Sequence, residues 1–119
     1  MKERLKKIVH KNKEILIIDY SNCKENGMIE LATAARELVL RENKNVLLLS
    51  ILNDKTYATP KFVRHVEKEL RTAEQLIEKN AVTGISAVQQ WIVKGINLWH
   101  KRKVHPFNSA DDALDFLVS

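Results

Sequence analysis

The segment EILIIDY, residues 14–20, decides the fold class of this chain. Its apolar residues occupy successive positions, and three of them are isoleucine, which is branched at Cβ. A strand with one face in water alternates apolar and polar residues, whereas a strand covered on both faces is apolar throughout. We therefore predict that this segment is a central strand of a sheet that is covered on both sides.

Helical and strand-like patterns alternate downstream of this strand. Asn26 is placed to cap a helix whose apolar residues recur at spacings of three and four. The segment NVLLLSIL, residues 45–52, predicts a second covered strand. Thr59 and Pro60 then predict a helix start, because the hydroxyl accepts from a free backbone N–H and proline at the first helical position gives up no hydrogen bond.

The segment NAVTGIS, residues 80–86, predicts a third strand that ends at Gly84. Ser86 is a suitable cap for the helix AVQQWIVKGINLWHK that follows. Trp91 and Trp99 lie on one side of that helix, a spacing that favours the core over a cofactor platform. A mid-helix glycine costs about 1 kcal/mol against alanine, so Gly95 indicates close packing against a neighbouring element.

The two ends of the chain complete the pattern. The segment KVHPF, residues 103–107, predicts a short edge strand, because Pro106 cannot donate a backbone hydrogen bond. Ser109 predicts the cap of a last helix with acids in its first turn. Before the first strand, a Lys-Asn-Lys turn indicates an antiparallel N-terminal hairpin, with a short helix as the alternative.

The predicted fold class is therefore α/β, with four β-α units, a mostly parallel sheet and a possible antiparallel N-terminal strand. At 119 residues we expect a single domain over 1–119. No apolar run reaches the roughly 20 residues that span a bilayer, and the N-terminus has no apolar stretch typical of a signal peptide. We expect a soluble, cytoplasmic protein without a membrane span, and the lone Cys23 suits a reducing compartment.

The net charge of +5 comes from the first 13 residues, which hold six Lys and Arg against one Glu. The rest of the chain has equal numbers of cations and acids, so no nucleic-acid partner is expected. A second basic segment, HKRKVH, is expected at a helix end, where the dipole favours cations. The N-terminal segment is predicted to be a basic, solvated edge.

The sequence contains no motif that identifies a reaction. Phosphate-binding and dinucleotide-binding glycine loops, HExxH and GxSxG are absent, so no cofactor, no metal and no catalytic residue is predicted. Asp19 and Asp54 each follow a strand closely, which is compatible with paired carboxylates, although capping of their own turns is the preferred interpretation. His65 is expected to be solvated on the polar side of its helix.

Loops that follow parallel strands open on one edge of a sheet, and ligands of such sheets bind there. This places a binding or switch loop between the second strand and its helix, with neighbouring loops beside it. The loop residues are Asn53, Asp54, Thr56, Tyr57 and Thr59, and the neighbouring residues are Asp19, Ser21, Asn22, Gly84 and Ser86.

Four segments, KEILIIDYSNCK, NVLLLSILNDKTYATPKFV, AVTGISAVQQWIVKGIN and PFNSADDALDFL, together resemble the STAS/SEC14 (SpoIIAA-like) domain family. That family is related in fold to the anti-sigma-factor antagonists. The resemblance implies a partner-binding or regulatory module, and the SEC14 relatives bind lipids in an apolar pocket. In the antagonists a kinase phosphorylates a hydroxyl residue that corresponds by position to the loop 53–59, but their Asp-Ser-Ser-Gly-like sequence is absent here.

The leading hypothesis is a non-enzymatic module that presents its strand-end loops to a protein partner. The first alternative is a small-molecule or lipid-binding domain with an apolar ligand, and the second is an enzyme that uses Asp19 and Asp54. A homo-oligomer is also compatible with the sequence.

Overall fold

A computed structural model describes residues 2–86, 90–97 and 103–119 of the chain. Its centre is a five-stranded sheet with the strands in sequence order. The strands are β1 (Leu5–His10), β2 (Lys13–Asp19), β3 (Val46–Ile51), β4 (Ile77–Thr83) and β5 (Val104–Phe107). The helices are α1 (Glu25–Glu42), α2 (Pro60–Ala73), α3 (Gln90–Asn97) and α4 (Ala110–Val118), with short 3-10 turns at Lys2–Arg4 and Glu74–Leu76. The predicted α/β class is confirmed.

β1 and β2 form the antiparallel hairpin, and the other neighbouring strands are parallel. Lys11 and Asn12 connect the hairpin with φ angles of 49° and 69°. Two positive φ angles are what a tight two-residue hairpin turn requires, and asparagine tolerates them well. The hairpin alternative is therefore confirmed over a helix for β1.

Helices cover both faces of the sheet. α1, α2 and α3 pack on one face, and their core includes Met28, Leu31 and Phe62. α4 packs on the other face, where Leu117 meets the apolar side chains of β2 and β3. This two-sided burial explains why β2 and β3 are apolar on successive positions, since alternate residues serve opposite cores.

Several predicted helix ends and packing contacts are confirmed. Thr59 Oγ1 accepts from the Phe62 backbone N–H at 3.1 Å, and Ser109 Oγ accepts from that of Asp112 at 3.1 Å. A Cβ on Gly95 would meet Val63 Cγ1 at 3.3 Å, so α3 does approach α2 closely there. β5 lies at the sheet edge, as its proline indicates.

Other local predictions are wrong. Asn26 lies inside the first turn of α1, and Lys24 holds the N-cap position without a side-chain hydrogen bond. β4 begins at Ile77, so its first three residues precede the predicted strand. Trp91 is 40% exposed and does not lie in the core.

His65 also differs from its prediction. It is half-buried, and its Nε2 lies 2.8 Å from Thr33 Oγ1 of α1. The predicted cap at residue 86, Trp99 and the basic residues 100–102 involve positions outside the described part of the chain.

Candidate functional site

The loops that follow β2, β3 and β4 meet at one edge of the sheet, as parallel strands require. We call residues 20–24, 52–59 and 84–86 the strand-end edge. Backbone bonds continue the sheet into it, from Tyr20 N to Ile51 O at 2.7 Å and from Leu52 N to Thr83 O at 2.9 Å. The backbone hydrogen bonds of the sheet therefore extend to the first residues of the loops after β2 and β3.

Thr56 lies at the centre of the strand-end edge and is only 4% exposed. Its Oγ1 accepts from the Asn53 backbone N–H at 3.0 Å, and it lies 2.9 Å from the carbonyl oxygen of Tyr20, to which it donates. One hydroxyl therefore joins the loop after β3 to the loop after β2. Thr56 is a buried structural link, and its oxygen is covered by the folded loop.

A pair of asparagines joins the same two loops at the surface. Asn53 Nδ2 donates to Asn22 Oδ1 at 3.0 Å, and the Asn22 backbone N–H donates to Asn53 Oδ1 at 3.0 Å. Asn53 Oδ1 also accepts from the Lys55 backbone N–H at 3.1 Å, which closes a local turn. Asn22 adopts a φ angle of 61°, a conformation that asparagine tolerates better than most residues.

Asp19 stabilises the loop after β2. Its Oδ1 accepts from the backbone N–H of Ser21 at 2.9 Å and from Ser21 Oγ at 2.5 Å, while Arg4 Nη1 donates to the carbonyl oxygens of both residues. Partial burial acts to raise the pKa of Asp19, but the Ser21 hydrogen bonds and the Arg4 charge outweigh it and lower the pKa below its ordinary value. Asp19 is therefore ionised at neutral pH and caps its own turn.

Asp54, Lys55 and Tyr57 are the exposed residues of the loop that joins β3 to α2. The Tyr57 backbone N–H donates to the carbonyl oxygen of Cys23 at 2.8 Å, yet its side chain is 66% exposed. Next to it, Thr59 Oγ1 caps α2 and also donates to Glu25 Oε2 of α1. The loop thus holds an aromatic ring in water on a fixed backbone.

Gly84 allows the loop after β4 to lie close to the loop after β3. It has a φ angle of 82°, and a Cβ built there would lie 1.7 Å from the carbonyl oxygen of Leu52. Only glycine fits this approach. Ser86, two residues later, is exposed.

A cavity of about 70 Å³ lies between the sheet and helices α1, α2 and α3. Most of its wall is apolar and includes Ile18, Ala35, Leu48, Val82, Ile92 and Ile96. The cavity reaches the strand-end edge, where Tyr20 and Leu52 line it. Ser50 and Asn80 of the sheet contribute polar side chains to its wall. Its volume is several times the roughly 10–15 Å³ that one water needs.

Among the described residues that line the cavity, the charged ones are Arg36 of α1 and Glu69 of α2. Arg36 Nε pairs with Glu69 Oε2, and both side chains are mostly buried. Glu69 Oε1 lies 3.5 Å from His65 Nε2, so the histidine belongs to the same cluster. Because the two charges neutralise each other, the cavity has no free charge from this pair.

A comparison with solved structures identifies the fold. An uncharacterized protein of the DUF3478 family from Shewanella loihica PV-4, described as having a SpoIIAA-like fold, superposes with a TM-score of 0.65. The match covers 95% of this chain and 91% of that one, at 16% sequence identity. This chain has a SpoIIAA-like fold. No protein-family model matches the sequence, and no curated protein sequence matches it.

The loops after β2 and β3 bring several of the predicted site residues together. Asn22 bonds Asn53 and Thr56 bonds the Tyr20 carbonyl across the two loops, whereas Asp19 bonds Ser21 within its own loop. The described residues contain no cluster of three or more His, Cys, Asp or Glu side chains that could hold a metal ion. None of the described helices is long and apolar enough to cross a membrane.

Sequence reasoning missed the polar residues of the cavity. Asn80 was predicted only as the start of a strand, although asparagine is depleted inside strands and this one precedes three apolar or β-branched residues. Arg36 and Glu69 were not singled out from the sequence, and their pairing depends on how α1 packs against α2. The presence of asparagine in an apolar strand could have drawn attention to Asn80, whereas no local pattern predicts the pairing of Arg36 with Glu69.

Proposed function

We propose that this chain is a non-enzymatic binding module of the SpoIIAA-like type that presents its strand-end edge to a protein partner. The observation that carries the proposal is the Tyr57 side chain, which is 66% exposed on a backbone fixed by hydrogen bonds. Tyrosine is enriched among the residues that dominate binding energy at protein interfaces. Because the backbone at Tyr57 is already fixed, only the side-chain rotamers lose conformational entropy on binding.

Trp91 is a second exposed aromatic residue. Trp91 is 40% exposed and lies in the first turn of the described part of α3, which follows the strand-end edge along the chain. Tryptophan, like tyrosine, combines a large apolar area with one polar group. We assign Tyr57 as the main anchor because its exposed fraction is larger.

The enzyme alternative receives less support. Asp19 uses one carboxylate oxygen to cap its own turn, and its lowered pKa makes it a poor proton donor or acceptor at neutral pH. Asp54 is exposed, so water would screen any charge effect on a reacting group. A binding role needs neither carboxylate to titrate.

The partner surface is tested by placing a photo-crosslinking amino acid at position 57 in the chain's own cells. Lys44, which is exposed and precedes β3 at the opposite end of the sheet, is the matched control position. We expect one specific protein adduct at position 57 and none at position 44. Unlabelled wild-type protein should compete for that adduct at least tenfold better than Tyr57→Ala, because loss of an anchor residue costs on the order of 2 kcal/mol.

Equal adducts at the two positions, or equal competition by the two proteins, would refute the protein-partner proposal. An adduct to a second copy of this chain would instead identify the partner as a homo-oligomer.

The cavity favours a second candidate function, which is the binding of a small apolar ligand. Its mostly apolar wall and its volume of about 70 Å³ carry this candidate. A dry apolar cavity of about 150 Å³ in another protein binds benzene, so this smaller cavity would accommodate such a ring only if its walls move apart slightly. Titration with toluene should shift the NMR signals of Leu48, Val82 and Ile92, and unchanged signals at millimolar toluene would exclude it.

A further inference from the structure

Asn80 is the one buried asparagine among the described residues, and it lies inside the central part of β4. It is only 5% exposed, and its neighbours in the sheet are Leu48 on β3 and Val104 on β5. All three residues line the cavity. The amide is therefore surrounded in the sheet by hydrocarbon.

The Asn80 Oδ1 atom has no hydrogen-bond partner among the residues that the structure describes. Leaving a buried polar atom unpaired costs roughly 1–3 kcal/mol, and the large majority of buried side-chain polar atoms in proteins are paired. A hydrophobic residue of similar size would avoid this cost. Asn80 lines the cavity, so a group that enters the cavity is a candidate partner for this acceptor.

A single trapped water is a poor occupant of this position. Buried waters make about three hydrogen bonds, and the sheet neighbours of Asn80 are leucine and valine. Ser50 lies elsewhere on the same wall, beside Val82 rather than Asn80. An organic molecule needs only one polar group and fills the remaining space with carbon.

We propose that the cavity binds a small, neutral, mostly apolar molecule with one hydrogen-bond donor, a hydroxyl or N–H group, that donates to Asn80 Oδ1. This inference rests on the small-ligand candidate above and adds the chemical class of the ligand. The molecule is uncharged because Arg36 and Glu69 neutralise each other and leave no counter-ion for it. The apolar wall favours a ligand with a hydrocarbon body, and Asn80 Oδ1 favours a ligand that carries one hydrogen-bond donor.

Phenol and toluene test this chemistry, because they have nearly the same shape and differ by a hydroxyl in place of a methyl group. Their dissociation constants are measured by NMR titration for the wild-type protein and for Asn80→Val, which keeps the strand residue small and removes the amide. We expect the preference for phenol over toluene to fall about fivefold or more in the variant, the value of one net hydrogen bond. Val82→Ala, which alters the same wall without touching the amide, should leave the preference within twofold.

The outcomes separate the two proposals. If toluene binds and the phenol preference is unchanged in Asn80→Val, the small-ligand candidate stands and the role of Asn80 is refuted. If neither probe binds, both proposals fail together. If Asn80→Val does not fold, the ratio of the phenol and toluene dissociation constants is measured for Asn80→Ala instead. Without ligand, Asn80→Val should melt no lower than the wild type, since it removes an unpaired polar group. A clear loss of melting temperature would show that the fold itself satisfies the amide and would refute the inference.

Discussion

Thr56 shows at the residue scale how a predicted site residue acquires a structural role. Its hydroxyl joins two loops and is 4% exposed. Thr56→Val keeps the shape but leaves the Asn53 N–H and the Tyr20 carbonyl without this partner. We expect the free energy of unfolding in urea to fall by about 1–3 kcal/mol.

Thr56→Ser is the matched control because it keeps the hydroxyl, and it should retain most of the stability. If Thr56→Val were as stable as Thr56→Ser, the hydroxyl would not link the loops. A hydroxyl in this position is modified only when the loop opens, so an exposed residue such as Tyr57 is the more accessible group on the strand-end edge.

Two glycines provide a second residue-scale prediction. Gly84→Ala places a Cβ 1.7 Å from the Leu52 carbonyl oxygen at a φ angle of 82°. We expect a loss of more than about 2 kcal/mol, because both the backbone conformation and the contact oppose a side chain. Gly27→Ala, inside α1 with only Cys23 at 4.0 Å, should raise stability by about 0.5–1 kcal/mol.

Thermal and urea unfolding of both glycine variants measure this difference. A Gly84→Ala protein as stable as the wild type would mean that the loop after β4 does not approach Leu52 as described.

At the scale of single elements, the sequence predicts a feature well when its cause is local. Thr59 and Ser109 cap their helices because the hydroxyl oxygen and the backbone N–H that donates to it are three residues apart. The hairpin turn is likewise determined by two adjacent residues that tolerate positive φ. These elements could be predicted without knowledge of the rest of the chain.

Predictions fail where a distant element decides the outcome. β4 begins at Ile77, three residues before the predicted strand, because pairing with Val46 on β3 extends it. Trp91 has helical spacing with apolar neighbours, yet α3 buries Ile92, Val93 and Ile96 instead. The helical spacing of apolar residues locates the buried face of a helix only to within about one residue. Packing against the neighbouring elements decides which side chains at the border of that face are buried.

At the scale of the whole molecule, the strand-end edge was predictable and the cavity was not. Parallel strands place their following loops together whatever the side chains are, so topology alone located Asn22, Asn53 and Thr56 near one another. The cavity depends on how three helices leave space above the sheet, and no local pattern encodes that space. An asparagine inside a strand, such as Asn80, is visible in the sequence, but its role can be interpreted only when the cavity beside it is known.

The cavity leads to a prediction about stability and binding together. Ala35 lines the cavity from α1, and Ala35→Leu adds three carbon atoms to it. Each buried methylene contributes about 0.8 kcal/mol, so we expect the free energy of unfolding to rise by about 1–2 kcal/mol after the cost of ordering the side chain. Ala34→Leu, at the adjacent partly exposed position outside the cavity wall, should change stability by no more than about 0.5 kcal/mol.

The same variants should separate in ligand binding. Toluene should raise the melting temperature of the wild type and of Ala34→Leu, because a ligand that binds only the folded state stabilises it. Ala35→Leu should lose that increase, since its side chain occupies the space that toluene needs. If Ala35→Leu were destabilised and still responded to toluene, the space beneath α1 would be too small for the leucine and the ligand would bind elsewhere. A gain in stability with a loss of binding is the result expected of a cavity that is kept open for a ligand.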